Sequence, residues 1–470
     1  MAIRVVKKSG AQSALSRESG ARRVSPARRA AFEVLRRVED EGAFAAVLLA
    51  STNAELRADD RALCYELVLG VLRRQLWLDK LIEHYAAGRA AASLDAPVRR
   101  ALRLGLYQLR FLARIPQSAA VNESVNFAYE ARLRSAANFI NAVLRRATRE
   151  PHYDPATQAT DELERLSIDT SHPAWLLARW IKFFGAEEAE AFARANNQTP
   201  PVAFRINPLR ASVAEVMERL RAANIEVKSS QIASGAWRIE GTGGALVREL
   251  AAAGAIYMQD EASQLIAHLL GARAGERVLD VCAAPGSKTT HIAVLTGDRA
   301  CIIAGDIYKH RLRLVRESAA RQGLENIQTV MLDAERAPLP FAHNSFARVL
   351  VDAPCTGTGT LRHNPEIRWR LAPADIGDLA ARQQHILTHA ARTLSTGGRL
   401  VYSTCSIEPE ENEEVVNAFL EAHRDFVAVT PDLPAHLRAG NSASARTWPH
   451  RDGTDGFFVA AFEKRAHFAR

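Results

Sequence analysis

Two cysteines stand directly after short apolar runs: Cys355 in V-L-V-D-A-P-C-T-G-T-G and Cys405 in L-V-Y-S-T-C-S. A thiol placed where a strand gives way to a loop is a candidate nucleophile, because loops carry reactive groups past the edge of a packed sheet. The chain has five cysteines in 470 residues, the others being Cys64, Cys282 and Cys301. None forms a C-x-x-C pair or stands at ligand spacing from a histidine. No metal site and no disulfide framework are therefore expected, and a reducing cytoplasm suits the set. Free cysteine is also among the most buried residue types. That packing role is assigned to Cys64, in a helical stretch, and to Cys301, within a strand. For Cys282 it is weighed evenly against a backbone role in a ligand loop.

Carboxylates end the same kind of run. After Ala255 the segments R-V-L-D-V-C, C-I-I-A-G-D-I, I-Q-T-V-M-L-D, A-R-V-L-V-D-A-P and R-L-V-Y-S-T-C alternate with helical stretches, and G-F-F-V-A-A-F is read as the last strand. Near-continuous apolar strands are covered on both faces, which defines an α/β doubly wound, Rossmann-like domain whose ligands bind beyond the carboxyl ends of the strands. Asp280, Asp306, Asp333 and Asp352 stand at those ends, with Cys355 and Cys405 beside them. The first strand leads into Cys282, Ala283, Ala284, Pro285, Gly286, Ser287 and Lys288. A glycine-bearing loop followed by an acid after the next strand suits an adenosine ligand, since the acid accepts ribose hydroxyls. C-A-A-P-G-S-K is neither G-x-G-x-x-G nor a Walker loop, which counts against a dinucleotide or a nucleoside triphosphate and leaves S-adenosylmethionine.

A thiol has a specific use beside a sulfonium methyl donor. Carbon 5 of cytosine is a poor nucleophile, and a thiolate adding to carbon 6 makes it enamine-like. A base then removes the carbon 5 proton and the thiol is eliminated. Only a few per cent of an ordinary cysteine is ionised at neutral pH, so the site must favour the thiolate or the adduct. Asp352, three residues before Cys355, could serve the ring's N3.

The elements that position these groups follow from composition. Residues 1–150 hold 26 Lys and Arg against 15 Asp and Glu, a net of +11 in a chain of net +8. The positive excess lies wholly in the first third, where it would attract phosphates; a solvated arginine-rich surface is the plain alternative. Residues 1–24 read as a disordered basic arm, with a composition that also suits an organelle transit peptide. From Ser25 and Pro26, an N-cap and first-turn pair, apolar residues recur at helical spacing through Arg146. This makes residues 25–150 an all-α domain with arginine pairs at 36/37, 73/74, 99/100 and 145/146. P-H-Y-D-P-A-T-Q-A-T reads as a linker. A small α+β domain follows at 165–245, and the doubly wound domain at 250–465. No run is long and apolar enough for a bilayer, and no membrane partner is expected.

At D-A-P-C-T-G-T-G and S-T-C-S the sequence resembles the Sun family of RNA cytosine-C5 methyltransferases, and within it most closely the bacterial enzymes of 16S ribosomal RNA. D-V-C-A-A-P-G-S-K-T, Y-M-Q-D-E-A-S, R-H-N-P-E-I-R-W-R, S-T-C-S-I-E-P-E-E-N and D-G-F-F are family-like, and the region around L-G-V-L-R resembles a NusB-type RNA-binding domain. The likeness covers nearly the whole chain from Pro26. It implies that Cys282 to Lys288 line the cofactor, Asp306 takes the ribose, Asp333 the adenine side, and Asp352 the junction of cofactor and base. It also ranks the two thiols, which chemistry alone leaves open: Cys405 as nucleophile, Cys355 as the residue that assists release. Ser287 stands where glycine is usual, and Thr356 where serine is usual.

The implied protein is a monomeric, cytoplasmic enzyme that methylates 16S ribosomal RNA. A transfer RNA substrate with the same chemistry is the first alternative, against which the NusB-like domain argues. An RNA-binding assembly factor with an inactive methyltransferase domain is the second, against which the intact thiols, acids and loop argue. A DNA methyltransferase is weaker, since those enzymes share the P-C cysteine and lack the T-C one.

Overall fold

The computed structural model describes residues 24–52, 56–241, 243–430, 432–438 and 443–465. The expected basic arm at 1–24 lies, apart from Val24, outside them. The chain divides into two compact units, Met1–Ala174 and Trp175–Arg470.

The first unit is helical. Pro26–Asp40 is amphipathic and buries Ala31, Val34, Leu35 and Val38, the stripe that its spacing predicts. Helices Ala58–Arg73, Gln75–Tyr85, Ala96–Phe111, Gln117–Glu130 and Arg134–Arg149 add leucine, isoleucine and valine to the same core. Ser25 occupies the N-cap, but its hydroxyl makes no cap bond; it accepts instead from Arg28 at 2.9 Å. The arginine pairs do not make one free basic surface. Arg36 and Arg37 bind Glu41, Arg100 binds Glu39 and Asp40 while almost fully buried, and Arg73 is buried as well. A helix-end guanidinium flanked by acids on a neighbouring turn is drawn into ion pairs before it meets any phosphate.

The segment read as a linker also belongs to this unit. Tyr153 stacks on His84 with ring centroids 3.5 Å apart, and Asp154 accepts from Trp77 Nε1 at 3.2 Å. A helix, Glu162–Thr170, then starts from Asp161, whose side chain accepts the Glu164 N–H. Within the linker, residues 151–160, there is only a short turn, Pro155–Gln158, capped by Asp154; the helix begins after it, at the Asp161 cap.

In the second unit, helices Ala174–Phe184 and Ala186–Ala195 precede a four-stranded antiparallel sheet of β1 (Val202–Ile206), β2 (Val227–Ser229), β3 (Ala236–Ile239) and β4 (Ile256–Met258), in the order β2-β3-β1-β4. Phe204 and Ile206 on one face of β1 pack under helices Val213–Ala222 and Gly244–Ala252. Arg205 points the other way and is buried, donating to Gln259, Thr290 and Gln322 at 3.0–3.1 Å. β4 lies beyond the expected limit of this small domain at 245.

The large sheet contains β5 (Arg277–Asp280), β6 (Cys301–Asp306), β7 (Ile327–Met331), β8 (Phe346–Asp352), β9 (Leu394–Thr404), β10 (Phe426–Val429), β11 (Ser444–Arg446) and β12 (Phe458–Lys464). Its order is β10-β12-β9-β8-β5-β6-β7, with β11 paired to β12. β5 to β9 are parallel, and β12 enters antiparallel between β9 and β10. β5 leads to β6 on one side and has β8 on the other, so the topological switch point lies between Asp280 and Asp352, where doubly wound folds bind ligands.

Candidate active site

Each strand end delivers a side chain expected from the sequence. Gly286 lies at φ +101°, and a Cβ there would meet Val315 Cα at 3.1 Å, so only glycine lets the Cys282–Gly286 loop close on helix Lys309–Gln322. Helix Ser287–Leu295 begins immediately after the loop. Asp306, 3% exposed, accepts the Tyr308 N–H at 3.0 Å and pairs with Arg311 at 3.3 Å. Arg311 also donates to the Ala284 carbonyl at 2.9 Å, tying this acid to the loop. Asp333 stands apart: β7 ends at Met331, two residues before it, and the carboxylate is partly exposed against Arg336 at 3.0 Å.

Asp280 is buried, with Thr289 Oγ1 donating to it at 2.7 Å. Burial, with the charge of Asp352 adding, pushes its carboxyl up to about 7. A carboxyl raised in the folded state keeps a proton that the unfolded chain releases, so folding stability falls as pH rises from about 4 to about 7 and is level above. Asp280→Asn, which still accepts from Thr289, should therefore gain stability relative to the parent at pH 8 compared with pH 4.5, by up to about 3 kcal/mol. Urea unfolding at the two pH values measures this; an equal difference at both would mean Asp280 ionises normally.

The thiols meet at the centre. Cys355 Sγ and Cys405 Sγ are 3.3 Å apart. Beside them Lys288 Nζ donates to Asp352 at 2.7 Å, and Ser403 Oγ donates to the other carboxylate oxygen at 2.9 Å. Burial works against the Lys288 ammonium, but Asp352, helped by charge at Cys405, holds its pKa above the ordinary value. Lys288 also lies 5.2 Å from the centre of the Phe457 ring in D-G-F-F. The Cys355 thiol is pushed well up by its hydrogen bond to Cys405, then by burial, then by the charges of Cys405 and Glu411. Burial, then the charges of Asp280, Asp352 and Asp306, push the Cys282 thiol well up. The Cys282–Lys288 loop, Asp280, Asp306, Asp352 and both thiols form one centre.

Sequence reasoning missed several residues around it. Asp260, Arg362, His363 and Asp455 come from three separate family-like segments and meet: Arg362 and His363 each reach Asp455 at 3.4 Å, and Asp260 accepts from Thr454 and the Asp455 N–H. Asp260, His363 and Asp455 are the only trio among the described residues with metal-like spacing. The Arg362 guanidinium and these N–H and O–H donors already occupy the carboxylates, which makes the group a brace between segments. Gly359 is another: a Cβ there would fall 1.9 Å from the Gly456 carbonyl, while its N–H binds the Cys405 carbonyl at 2.9 Å. Glycine spacing in T-G-T-G and D-G-F-F was the available signal.

A doubly wound sheet with a non-phosphate loop and paired strand-end cysteines defines a methyltransferase. The profile of the 16S rRNA methyltransferase RsmB/F family matches residues 267–463, the NusB family 25–149, and the RsmF/B-like ferredoxin-like domain 172–244. The chain is 36% identical over 444 residues to the probable ribosomal RNA small subunit methyltransferase B of Bacillus subtilis (strain 168), covering 93% of this chain and 98% of that one. It is equally 36% identical to the corresponding probable enzyme of Synechocystis sp. (strain PCC 6803), covering 93% and 99%. The crystal structure of PH0851 superposes with a TM-score of 0.80 at 30% identity, over 93% of this chain and 98% of that one. The chain belongs to the RsmB/F family, and it is an S-adenosylmethionine-dependent methyltransferase.

Proposed function

We propose that the protein methylates carbon 5 of a cytosine in 16S ribosomal RNA, acting as a monomer in the cytoplasm, with Cys405 as nucleophile and Cys355 as the group that frees the product. The observation that carries this reading is the 3.3 Å contact of the two sulfurs beside the Lys288–Asp352 pair. Among the described residues, no helix is long and apolar enough to cross a membrane.

The loop Cys282–Lys288 with Asp306 and Asp333 would hold S-adenosylmethionine, and the closed Gly286 turn and the nearly buried Asp306 carboxylate fit that ligand. Bound there, it supplies an electrophilic methyl group. The Cys405 thiolate adds to carbon 6 of the ring, and the electrons of the ring's 5,6 double bond shift toward carbon 5 and N3 as N3 takes up a proton that the Lys288–Asp352 pair supplies. Once carbon 5 carries the methyl group, a base must take its remaining proton so that the carbon 6–sulfur bond can break. The free thiol of Cys355 is poorly ionised mainly because it is bonded to Cys405 and faces its charge. Adduct formation removes both effects, while burial and the charge of Glu411 remain, so Cys355 ionises more readily once Cys405 has reacted. This order of events gives the two thiols different tasks.

Asp306→Ala should weaken S-adenosylmethionine binding by roughly 2–3 kcal/mol, the worth of charge-assisted bonds to the ribose. Calorimetry showing unchanged affinity would move the ribose elsewhere. RNA phosphates have a landing stripe on helix Arg134–Arg149: Arg134, Asn138, Asn141, Arg145 and Arg149 are exposed at spacings of three and four, opposite the buried Ala137, Ile140, Val143, Leu144 and Ala147. Replacing Arg134, Arg145 and Arg149 by glutamine should reduce the slope of log affinity against log salt by roughly 2–3. An unchanged slope would place the phosphates on another surface. Bisulfite sequencing of ribosomal and transfer RNA treated with the protein and S-adenosylmethionine tests the substrate; a new 5-methylcytosine in transfer RNA alone would overturn the 16S assignment.

A further inference from the structure

Behind the two thiols lies a carboxylate that the reaction above does not use. Glu411 is fully buried. Its Oε1 accepts the Thr356 N–H and the Gln383 side-chain N–H, both at 2.9 Å. Its Oε2 accepts the Thr356 hydroxyl at 2.5 Å and the Ser406 hydroxyl. Thr356 directly follows Cys355, and Ser406 directly follows Cys405. One carboxylate thus grips the residue after each thiol. Gln383 extends the grip by donating to the Pro354 carbonyl, just before Cys355, at 2.9 Å. Glu411 is itself held at its main chain, where the Tyr402 hydroxyl lies 2.5 Å from its carbonyl.

We propose that Glu411 is a positioning residue that clamps the Cys355 and Cys405 loops to each other and so keeps the two sulfurs in contact. The proposal rests on the reading that these two thiols carry the reaction. Stability alone does not call for such an arrangement, because a buried charge bears a desolvation cost that well-packed apolar side chains avoid. Four donors offset that cost, and what they gain is geometry. β8 and β9 bring the two cysteines to neighbouring strand ends, but each then lies on a loop, and loops hold position only through the bonds that pin them. The charge also faces Cys355 and is one of the influences that keep its thiol protonated.

The test separates sulfur contact from catalysis. Diamide oxidation to a Cys355–Cys405 disulfide, followed by peptide mass mapping, reports how readily the sulfurs meet and needs neither RNA nor cofactor. Single-turnover methylation of 16S ribosomal RNA reports the reaction. In Glu411→Ala the disulfide should form at least about tenfold more slowly and methylation should fall about a hundredfold, the cost of a displacement near 1 Å, with RNA and S-adenosylmethionine affinities within about threefold. Glu411→Gln should restore both rates to within about fivefold. Its amide oxygen keeps the two N–H donors, and its NH₂ can donate to the Thr356 and Ser406 hydroxyls, which turn to accept. If Glu411→Ala does not fold, Thr356→Val combined with Ser406→Ala removes the same two hydroxyl bonds and should repeat its behaviour. Oxidation at the parent rate in these variants overturns the clamp. Slowed oxidation with full methylation overturns the assignment of the reaction to the thiols, and the positioning role with it.

Discussion

Cys405→Ser will lose methyl transfer by about 10⁴-fold or more while still binding S-adenosylmethionine and RNA, because a serine hydroxyl is scarcely ionised at neutral pH and is a weaker nucleophile. Cys355→Ser will behave differently. It should complete methyl transfer once and then stall, accumulating a protein–RNA adduct that survives denaturing electrophoresis. The geometry sharpens this contrast, since the sulfurs are 3.3 Å apart and either is close enough to serve the same ring. The thiol of Cys355 is held well above its ordinary range by its bond to Cys405, then by burial, then by the charges of Cys405 and Glu411, and the Cys405 contributions end once that sulfur has reacted. The double variant should give no adduct. An adduct in Cys405→Ser, together with none in Cys355→Ser, would exchange the two roles. Full turnover in both single variants would end the covalent mechanism.

Asp352→Asn should be the most damaging change among the acids. It removes the counter-charge from Lys288, which is buried and bonded to Asp352 at 2.7 Å. Breaking a buried pair costs about 3–5 kcal/mol, and the partial exposure of Asp352 argues for the lower end. The pH dependence has a definite sign. In the parent, Lys288 is raised above its ordinary 10.5, so its contribution is present below that pH and fades as pH climbs through the raised value. Without Asp352, burial dominates and lowers the lysine, so the variant's deficit should be full at neutral pH and shrink toward pH 10. Activity should fall about 10²–10⁴-fold with the loss of an acid placed for N3. Lys288→Met in the Asp352→Asn background should recover stability without recovering activity. Urea unfolding of all three at pH 7.5 and 10 measures this, and a single variant as stable as the parent would show that the pair contributes nothing.

The chemistry was more legible than the scaffold around it. Apolar runs ending in Asp280, Asp306, Asp352 and Cys405 were readable because a parallel strand buried on both faces has a distinctive composition, and its last residue is placed by the fold itself. β4, β10 and β11 went unread: they are three or four residues long, like β5, but no strand-end acid or thiol marks them as Asp280 marks β5. Glu162–Thr170 was hidden by the proline and threonine before it. The acidic stretch E-P-E-E-N resembles a solvated turn, yet Glu408 and Glu411 are fully buried, Glu408 against Arg179 and Trp180. Apart from Ser406, their side-chain partners lie 28 to more than 200 residues away in sequence, so no local pattern could reveal them.

The position of β12 has a consequence for how the protein is made. It leaves the ribosome after both β9 and β10, yet it fills the slot between them, and the turn before it carries Gly456 against Gly359 and the Cys405 loop. Domains generally fold during synthesis from the N-terminal end, at about 5–20 residues per second. The helical unit can therefore be complete while β9 still has an open edge and the nucleophile's loop has nothing to close on. A nascent or truncated chain would be folded in its first half and chemically inert, with an exposed strand edge prone to pair with other chains. Competence to form a covalent bond with RNA arrives only with the final residues.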